Sequence, residues 1–206
     1  MEPLLPNHFI SVAPREIHDL IQRASRVKGC EASMAERIAS KITFCEINYG
    51  GGIDSWLLLA DDDENCLIET FQSVQVLDSL PAKDSLEFSW DPPIPFSFIA
   101  QPLNVLQSYG FAWGVDGERS HDHLLSTGNA PIWNLSLKNE NSTEANLNNN
   151  VCDEARFYQP EQIDRKEPFS EGIQIERHHW EELVNIAANF LLSEEILDNA
   201  ESPVYE

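Results

Sequence analysis

Two histidines with carboxylates close upstream come nearest, in type and spacing, to a metal site. His121 and His123 stand two residues apart, and Asp116 and Glu118 precede them. Side chains two residues apart face the same side of a β-strand, and imidazole with carboxylate is a ligand set of zinc and iron. We therefore predict a metal site at His121, His123 and Glu118. The alternative is a pair of histidines on an ordinary surface loop, since the spacing does not identify the residue that would complete the ligand set.

A second histidine pair, His178-His179, opens the predicted C-terminal helix. Adjacent residues on a helix point about 100° apart, which predicts that these two side chains do not share a metal. Asp61, Asp63 and Asn65 occupy the first three ligand positions of a calcium loop. The glycine and the final glutamate of such a loop are replaced by other residues. We predict neither catalysis by the histidine pair nor a calcium site.

The segment from Gly50 to Trp56 carries three glycines followed by polar and aromatic residues. The glycines come after a predicted helix rather than before one, so they predict a hinge or tight turn and not a phosphate loop. Asp54, Ser55 and Trp56 are candidate ligand-binding residues, together with Trp113. Either indole ring would offer a flat stacking face to a small molecule in a cleft between the helical hairpin and the sheet.

The charge of the chain narrows the classes of partner. Thirteen Lys and Arg against 35 Asp and Glu give a formal net charge of −22. Such a surface repels phosphate backbones and anionic lipids, so we predict no nucleic-acid and no membrane partner. A basic protein partner fits this charge, and simple colloidal solubility is the alternative interpretation. A homodimer formed through exposed parts of the helical hairpin is a separate hypothesis.

The N-terminus and the cysteines indicate a cytoplasmic location. Residues 1–8 lack the positive and apolar regions of a signal peptide, and no apolar run is long enough to span a bilayer. The four cysteines form no C-x-x-C pair and predict buried thiols: Cys30, Cys45, Cys66 and Cys152.

The N-terminal third predicts an extended arm and a helical hairpin. Residues 1–10 carry two prolines and no periodicity. The hairpin region is 11–60, with a first helix from Pro14 to a stop at Gly29, and a second starting from a capping box at Ser33–Glu36. The second helix has one apolar stripe: Ala35, Ile38, Ala39, Ile42 and Cys45. A short third helix or a buried strand covers Trp56–Leu59.

Residues 73–175 predict an antiparallel or mixed sheet, which makes the fold class α+β. Strand candidates, recognised by alternating or short apolar runs, are Val74–Val76, Leu86–Trp90, Phe96–Ala100, Phe111–Val115, Ile132–Leu137 and Ile173–Ile175. Asp91–Pro95 should interrupt the sheet, because proline cannot donate to a ladder. An Asn-rich mobile loop is predicted at 139–150, a C-terminal helix at 176–192 and an acidic tail at 193–206. We expect residues 1–206 to form a single domain.

Parts of both ends resemble a bacterial family known only as a domain of unknown function. The matching stretches are Ile10–Ile21, Ala35–Ala39 and Ile173–Leu183, about a quarter of the chain, and they consist mostly of core-face pattern. That family has no established activity, so the resemblance implies none for this chain.

The N-terminal hairpin also resembles the helical arm of the malate/lactate/sulfolactate dehydrogenase family. In that family the arm leads into a G-x-D-S-H-G motif, whose histidine transfers a proton. This chain reads Gly52-Ile-Asp-Ser-Trp-Leu57, so Trp56 replaces the histidine. An indole cannot exchange a proton near neutral pH, and the resemblance therefore implies a non-catalytic derivative.

No complete catalytic or cofactor motif is present in the sequence, and we predict no cofactor. The expected function is that of a non-catalytic accessory or interaction protein. The alternative is a small-molecule enzyme or ligand-binding protein with a cleft near Gly50–Trp56 and His121–His123.

Overall fold

The computed structural model describes residues 8–61, 65–79, 85–116, 128–139 and 172–200. The elements in chain order are β1 (Phe9–Val12), α1 (Pro14–Val27), α2 (Ala32–Asn48), α3 (Gly52–Asp61), α4 (Cys66–Val74), a 3₁₀ turn (Gln75–Ser79), β2 (Ser85–Pro95), a 3₁₀ turn (Phe96–Phe98), α5 (Ala100–Ser108), β3 (Phe111–Asp116), β4 (Pro131–Asn139), β5 (Ile173–Glu176) and α6 (Arg177–Ala200). Helices and antiparallel sheets together confirm the predicted α+β fold class.

The predicted helical hairpin is present as α1 and α2, which pack against each other. Glu16 accepts a hydrogen bond from the Ala13 amide at 3.1 Å, and this bond closes the start of α1. Gly29 follows α1 with a positive φ of 84°, a conformation that favours glycine. The predicted capping box of α2 is wrong: α2 begins at Ala32 after Glu31. The Glu36 carboxylate accepts a hydrogen bond from Gln22 of α1 instead.

Residues 66–79 form α4 and a 3₁₀ turn, so the predicted strand at Val74–Val76 is wrong. Leu67, Phe71 and Val74 recur at helical spacing and are buried on one face of α4. Val76 is substantially exposed. Two valines separated by one residue are too short a pattern to distinguish a strand from the end of a helix.

The main sheet has the strand order β2-β4-β3, with both pairs antiparallel. β2 continues through Asp91–Pro95, where an interruption was predicted, with a register shift between Ser89 and Ile94. An edge strand of the described sheet tolerates prolines at such an irregularity, because their missing N–H groups are not needed by a second neighbour. Asn139, expected in the loop, ends β4 opposite Phe111, and residues 140–150 lie outside the described ranges.

The buried segment Phe96–Ala100 turns away from the sheet, so the strand predicted there is wrong. It forms the second 3₁₀ turn and the start of α5, with Phe96, Phe98 and Ile99 fully buried. A short, continuously apolar run fits a buried helix as well as a buried strand.

A second, two-stranded sheet joins the beginning and the end of the described chain. β1 pairs with β5 in antiparallel register from Phe9 opposite Glu176 to Val12 opposite Ile173, so part of the predicted arm is a strand. β5 leads directly into α6, which packs on α1, and Leu183 and Ala187 of α6 are buried. The backbone of α6 continues to Ala200, beyond the predicted end at 192, through a run rich in residues with high helix propensity.

All described layers share one hydrophobic core, which includes side chains from both sheets and all six described helices. Cys30 and Cys45 are buried thiols, as predicted, whereas Cys66 is half-buried and Cys152 lies outside the described ranges. Burial raises the pKa of the Cys30 thiol to about 11, against the opposing effect of the nearby Arg26 charge. Within the described residues, no helix combines the length and apolarity that crossing a membrane requires.

Candidate functional site

The residues predicted from the sequence as a metal site are not among those that the structure describes. His121, His123 and Glu118 all fall in the range 117–127. The metal site proposed for them therefore stays a prediction.

Ser55 and Trp56 lie inside the core rather than on a cleft wall. Both side chains are fully buried. The Trp56 indole N–H donates to Ser25 Oγ of α1 at 3.0 Å, and the Ser55 hydroxyl lies 2.5 Å from Ser97 Oγ. In this arrangement the two side chains join α3 to its neighbours, and the indole presents no face to solvent.

Trp113 is buried as well, with 3% of its surface exposed. Its ring packs against the Phe96 ring at a centroid distance of 6.1 Å, tilted by 35°. This aromatic contact joins β3 to the buried turn before α5. The stacking role proposed for Trp113 would require the ring to leave the core.

The glycines after α2 end one helix and begin the next, which corrects the expectation that they only end a helix. Gly50 and Gly51 have positive φ angles of 75° and 68°, and α3 starts at Gly52. A side chain at Gly52 would come within 2.7 Å of the Ile42 carbonyl oxygen. The Glu46 carboxylate accepts a hydrogen bond from the Ile53 amide at 2.9 Å. The chain's own anion therefore occupies the start of α3, and this is consistent with the prediction of a turn rather than a phosphate loop.

Among the predicted site residues that the structure describes, Asp54 is the one whose side chain contacts other polar groups near the surface. One carboxylate oxygen accepts a hydrogen bond from the Asn129 amide, and the other lies 3.4 Å from His179 Nε2. The His178 and His179 ring centroids are 3.9 Å apart, so the expectation that the two side chains diverge is wrong. They stand in the first turn of α6, where they lean towards each other and towards Glu176 at the end of β5.

A second polar site, absent from the sequence predictions, lines a pocket of about 480 Å³ between α2, the 3₁₀ turn after α4, and α5. Arg37 and Lys41 stand one helical turn apart on α2 and both contact Asp78 of the 3₁₀ turn. The Lys41 ammonium donates to Asp78 Oδ1 at 2.9 Å, and the Arg37 guanidinium donates to Oδ2. The Arg37 guanidinium also lies 5.1 Å from the centroid of the Phe71 ring, so its orientation is constrained from two sides.

Lys41 is an unusual residue for its position, because only 2% of its side chain is exposed. Burial lowers the pKa of the Lys41 ammonium below the ordinary lysine value of 10.5, while the hydrogen bond and the charge of Asp78 oppose this shift. The neighbouring Arg37 charge lowers it further. Asp78 is thus the shared partner of two cations, Arg37 and Lys41, and these three groups together carry a net positive charge.

The remaining walls of the pocket are mostly apolar and come from the 3₁₀ turn and α5. They comprise Leu77, Pro102, Val105, Leu106 and the ring of Tyr109, with Gln101 and Ser40 as neutral polar groups. Tyr109 is 71% exposed and Val105 is 47% exposed. The lining of the pocket thus combines three charged groups with apolar side chains, of which Val105 and Tyr109 are exposed to solvent.

The sequence carried a weak signal for this pocket. Lys41 lies beside Ile38 and Ile42 of the predicted apolar stripe, but a lysine there reads as an ordinary polar residue at the edge of a helix face. Asp78 is 37 residues further along the chain. No local pattern relates these two positions.

Searches of protein-family models, curated proteins and solved structures gave no match to this chain.

Proposed function

We propose that this protein binds a small organic monoanion with an apolar body in the pocket between α2 and α5. The observation that supports this proposal is the buried ammonium of Lys41. It shares one carboxylate, that of Asp78, with the Arg37 guanidinium, in a chain whose net charge is −22. Pockets of roughly 300–1,000 Å³ with apolar walls and a few placed polar groups are typical of small-molecule sites.

The charge of the lining residues favours an anion. Arg37 and Lys41 contribute two positive charges and Asp78 one negative charge, which leaves one positive charge, 2 − 1 = +1. This local charge is opposite in sign to that of the whole chain. A carboxylate would balance the charge of the pocket, whereas a cation would add to its imbalance.

The donors in the pocket have unused capacity. Each of the two cations contacts a different oxygen of Asp78. A guanidinium has five N–H donors in a plane and an ammonium has three. A ligand carboxylate could therefore accept hydrogen bonds from the Arg37 guanidinium, which is 45% exposed, while the charge of the buried Lys41 ammonium attracts it from behind. The apolar body of the ligand would lie along Pro102, Val105 and Tyr109.

The binding test compares ligands that differ only in charge. We expect 4-phenylbutyrate to bind the wild-type protein saturably, with a Kd on the order of 1 mM or tighter, in ligand-observed NMR. The neutral 4-phenylbutan-1-ol should bind at least ~10-fold more weakly, and 4-phenylbutylamine more weakly still.

Two variants locate the binding and control for charge. Arg37→Gln should weaken 4-phenylbutyrate binding by about 10-fold, since a charge-assisted hydrogen bond contributes about 1.5–3 kcal/mol. Arg23→Gln removes one positive charge from an exposed position on α1 and should leave binding unchanged. Equal binding of the acid and the amine, or equal losses in the two variants, would contradict the proposal.

A second candidate function, hydrolysis of an ester of such an anion, is favoured by one contact. Ser40 Oγ lies 3.4 Å from His18 Nε2 at the edge of the same pocket. The Glu36 carboxylate is 3.5 Å from this nitrogen, and Asp19 is 3.9 Å from His18 Nδ1, which is beyond hydrogen-bond length. Binding therefore has the stronger support. Hydrolysis of p-nitrophenyl butyrate that Ser40→Ala abolishes would establish the second function.

A ligand-binding protein of this kind corresponds to the alternative expected from the sequence, with its pocket between α2 and α5 in place of a cleft near Gly50–Trp56 and His121–His123. The accessory or interaction role without chemistry remains a proposal. We propose that the protein acts in the cytoplasm, and the charge of −22 favours a basic protein partner. The relationships to the family of unknown function and to the dehydrogenase arm remain proposals that rest on the stretches quoted above.

A further inference from the structure

Two histidines and two carboxylates from separate parts of the chain meet where β5 joins α6. Glu176 ends β5, His178 and His179 lie in the first turn of α6, and Asp54 lies in the first turn of α3. His178 Nδ1 is 3.3 Å from Glu176 Oε2, and His179 Nε2 is 3.4 Å from Asp54 Oδ1. Ligand atoms of Glu176, His178 and His179 all lie within 4.8 Å of one another.

We propose that Glu176, His178 and His179 bind a divalent transition-metal ion of the zinc class. Ligand atoms about 2.0–2.1 Å from a tetrahedral zinc ion lie roughly 3.3 Å from each other. The Glu176–His178 distance already has this value. The other distances between the three ligand atoms are at most 4.8 Å, so side-chain rotations that move these atoms by about 1–2 Å would complete the site. Two imidazoles with a carboxylate suit zinc better than magnesium or calcium, which prefer all-oxygen sites.

Asp54 supports this site whichever nitrogen of His179 takes the metal. If Nδ1 coordinates, the Nε2–H group donates to Asp54, as metal-binding histidines commonly do to a carboxylate. If Nε2 coordinates, Asp54 Oδ1 lies 3.4 Å from that nitrogen, and its negative charge favours an ion there. Asn129 donates to the other oxygen of Asp54 and so directs Oδ1 towards His179.

The electrostatics of the site combine one unfavourable and one favourable contribution. The start of a helix carries a partial positive charge of about +0.5, which opposes a cation beside His178 and His179. The carboxylates of Glu176 and Asp54 supply two negative charges that exceed it. His178 is 66% exposed, so an ion reaches the site without displacing packed side chains.

The test is a zinc titration of metal-free protein, read by competition with a chromogenic zinc chelator. Millimolar Mg²⁺ is present throughout, because it occupies sites made of carboxylates alone and leaves imidazole sites to zinc. We expect wild-type protein to bind one Zn²⁺ at this site, and we expect His178→Ala and His179→Ala to weaken it by at least ~10-fold. Asp54→Asn should weaken it by about 10-fold.

His18→Ala is the matched control, since His18 also stands beside carboxylates, Asp19 and Glu36. It should leave zinc affinity unchanged. Far-UV circular dichroism of each variant checks that it is folded. Because His178 is exposed, we expect His178→Ala to fold, and this variant decides the test if His179→Ala unfolds. Wild-type affinity in His178→Ala would overturn the proposal. Loss of zinc binding only in the double variant His121→Ala/His123→Ala would also overturn it and assign the site to those residues.

Discussion

At the scale of single residues, Lys41 is the most informative position in the described structure. Its ammonium is held almost out of solvent, with Asp78 as its hydrogen-bonded partner. A buried ion pair adds little stability on balance, because desolvation of both charges offsets their attraction. A role in binding is a physical reason for a lysine to occupy this position.

The lowered pKa of Lys41 gives a prediction about stability and pH. A base whose pKa falls on folding binds fewer protons in the folded state, so the free energy of unfolding rises with pH towards the ordinary value of 10.5. Lys41→Met keeps the chain length of the residue and removes this titration. We expect the stability of the wild type relative to Lys41→Met to increase as the pH is raised from 7 to 10.

Urea unfolding of both proteins at each pH measures this difference, and titrations that the two proteins share cancel. The high pKa of Cys30, for example, lowers stability above pH 9 in both proteins alike. A difference that stays flat or falls with pH would show that Lys41 is not desolvated in the folded protein.

At the scale of elements, the hairpin of α1 and α2 forms one side of the main core. Ile38 of α2 is fully buried, whereas Leu20 of α1 is only partly buried. The two aliphatic residues therefore form a matched pair for testing how the hairpin packs.

Ile38→Ala should lower the free energy of unfolding by about 2–4 kcal/mol, the usual cost of removing buried aliphatic volume. Leu20→Ala should lower the free energy of unfolding by less, roughly 1–2 kcal/mol, because the Leu20 side chain is already partly exposed to solvent in the folded protein. Chemical denaturation of both variants checks the order. Equal losses of unfolding free energy in the two variants, or no loss in Ile38→Ala, would show that Ile38 is not packed in the core.

Periodicity in the sequence predicted the elements that are long or clearly alternating. The hairpin helices, α6, and the strands β2 to β5 were all recognised in this way, although several of their ends were not. α4 and α5 were missed because they are only nine residues long and their apolar runs fit either structure. The register shift between Ser89 and Ile94, across which β2 continues, has no signature in a single sequence.

At the scale of the whole molecule, the pocket could not be predicted because it joins residues far apart in the chain. The proposed zinc ligands Glu176, His178 and His179 are close in sequence, but ideal helix geometry predicted that the two imidazoles diverge. Asp54 was singled out from its local motif, but its partners Asn129 and His179 are brought to it only by the fold. In the pocket, Lys41 depends on Asp78 in the same way. Sequence patterns describe one element at a time, whereas both sites lie at junctions between elements.

The proposed function makes the pocket between α2 and α5 the place where the molecule meets its ligand. Titration of ¹⁵N-labelled protein with 4-phenylbutyrate tests this claim most directly, with backbone amide shifts as the measurement. We predict saturable shifts confined to the amides around Arg37–Lys41, Leu77–Asp78 and Gln101–Tyr109, with the amides around Asp54 and His179 unmoved. Shifts centred on any other part of the molecule, or no saturable shift at all, would contradict the account.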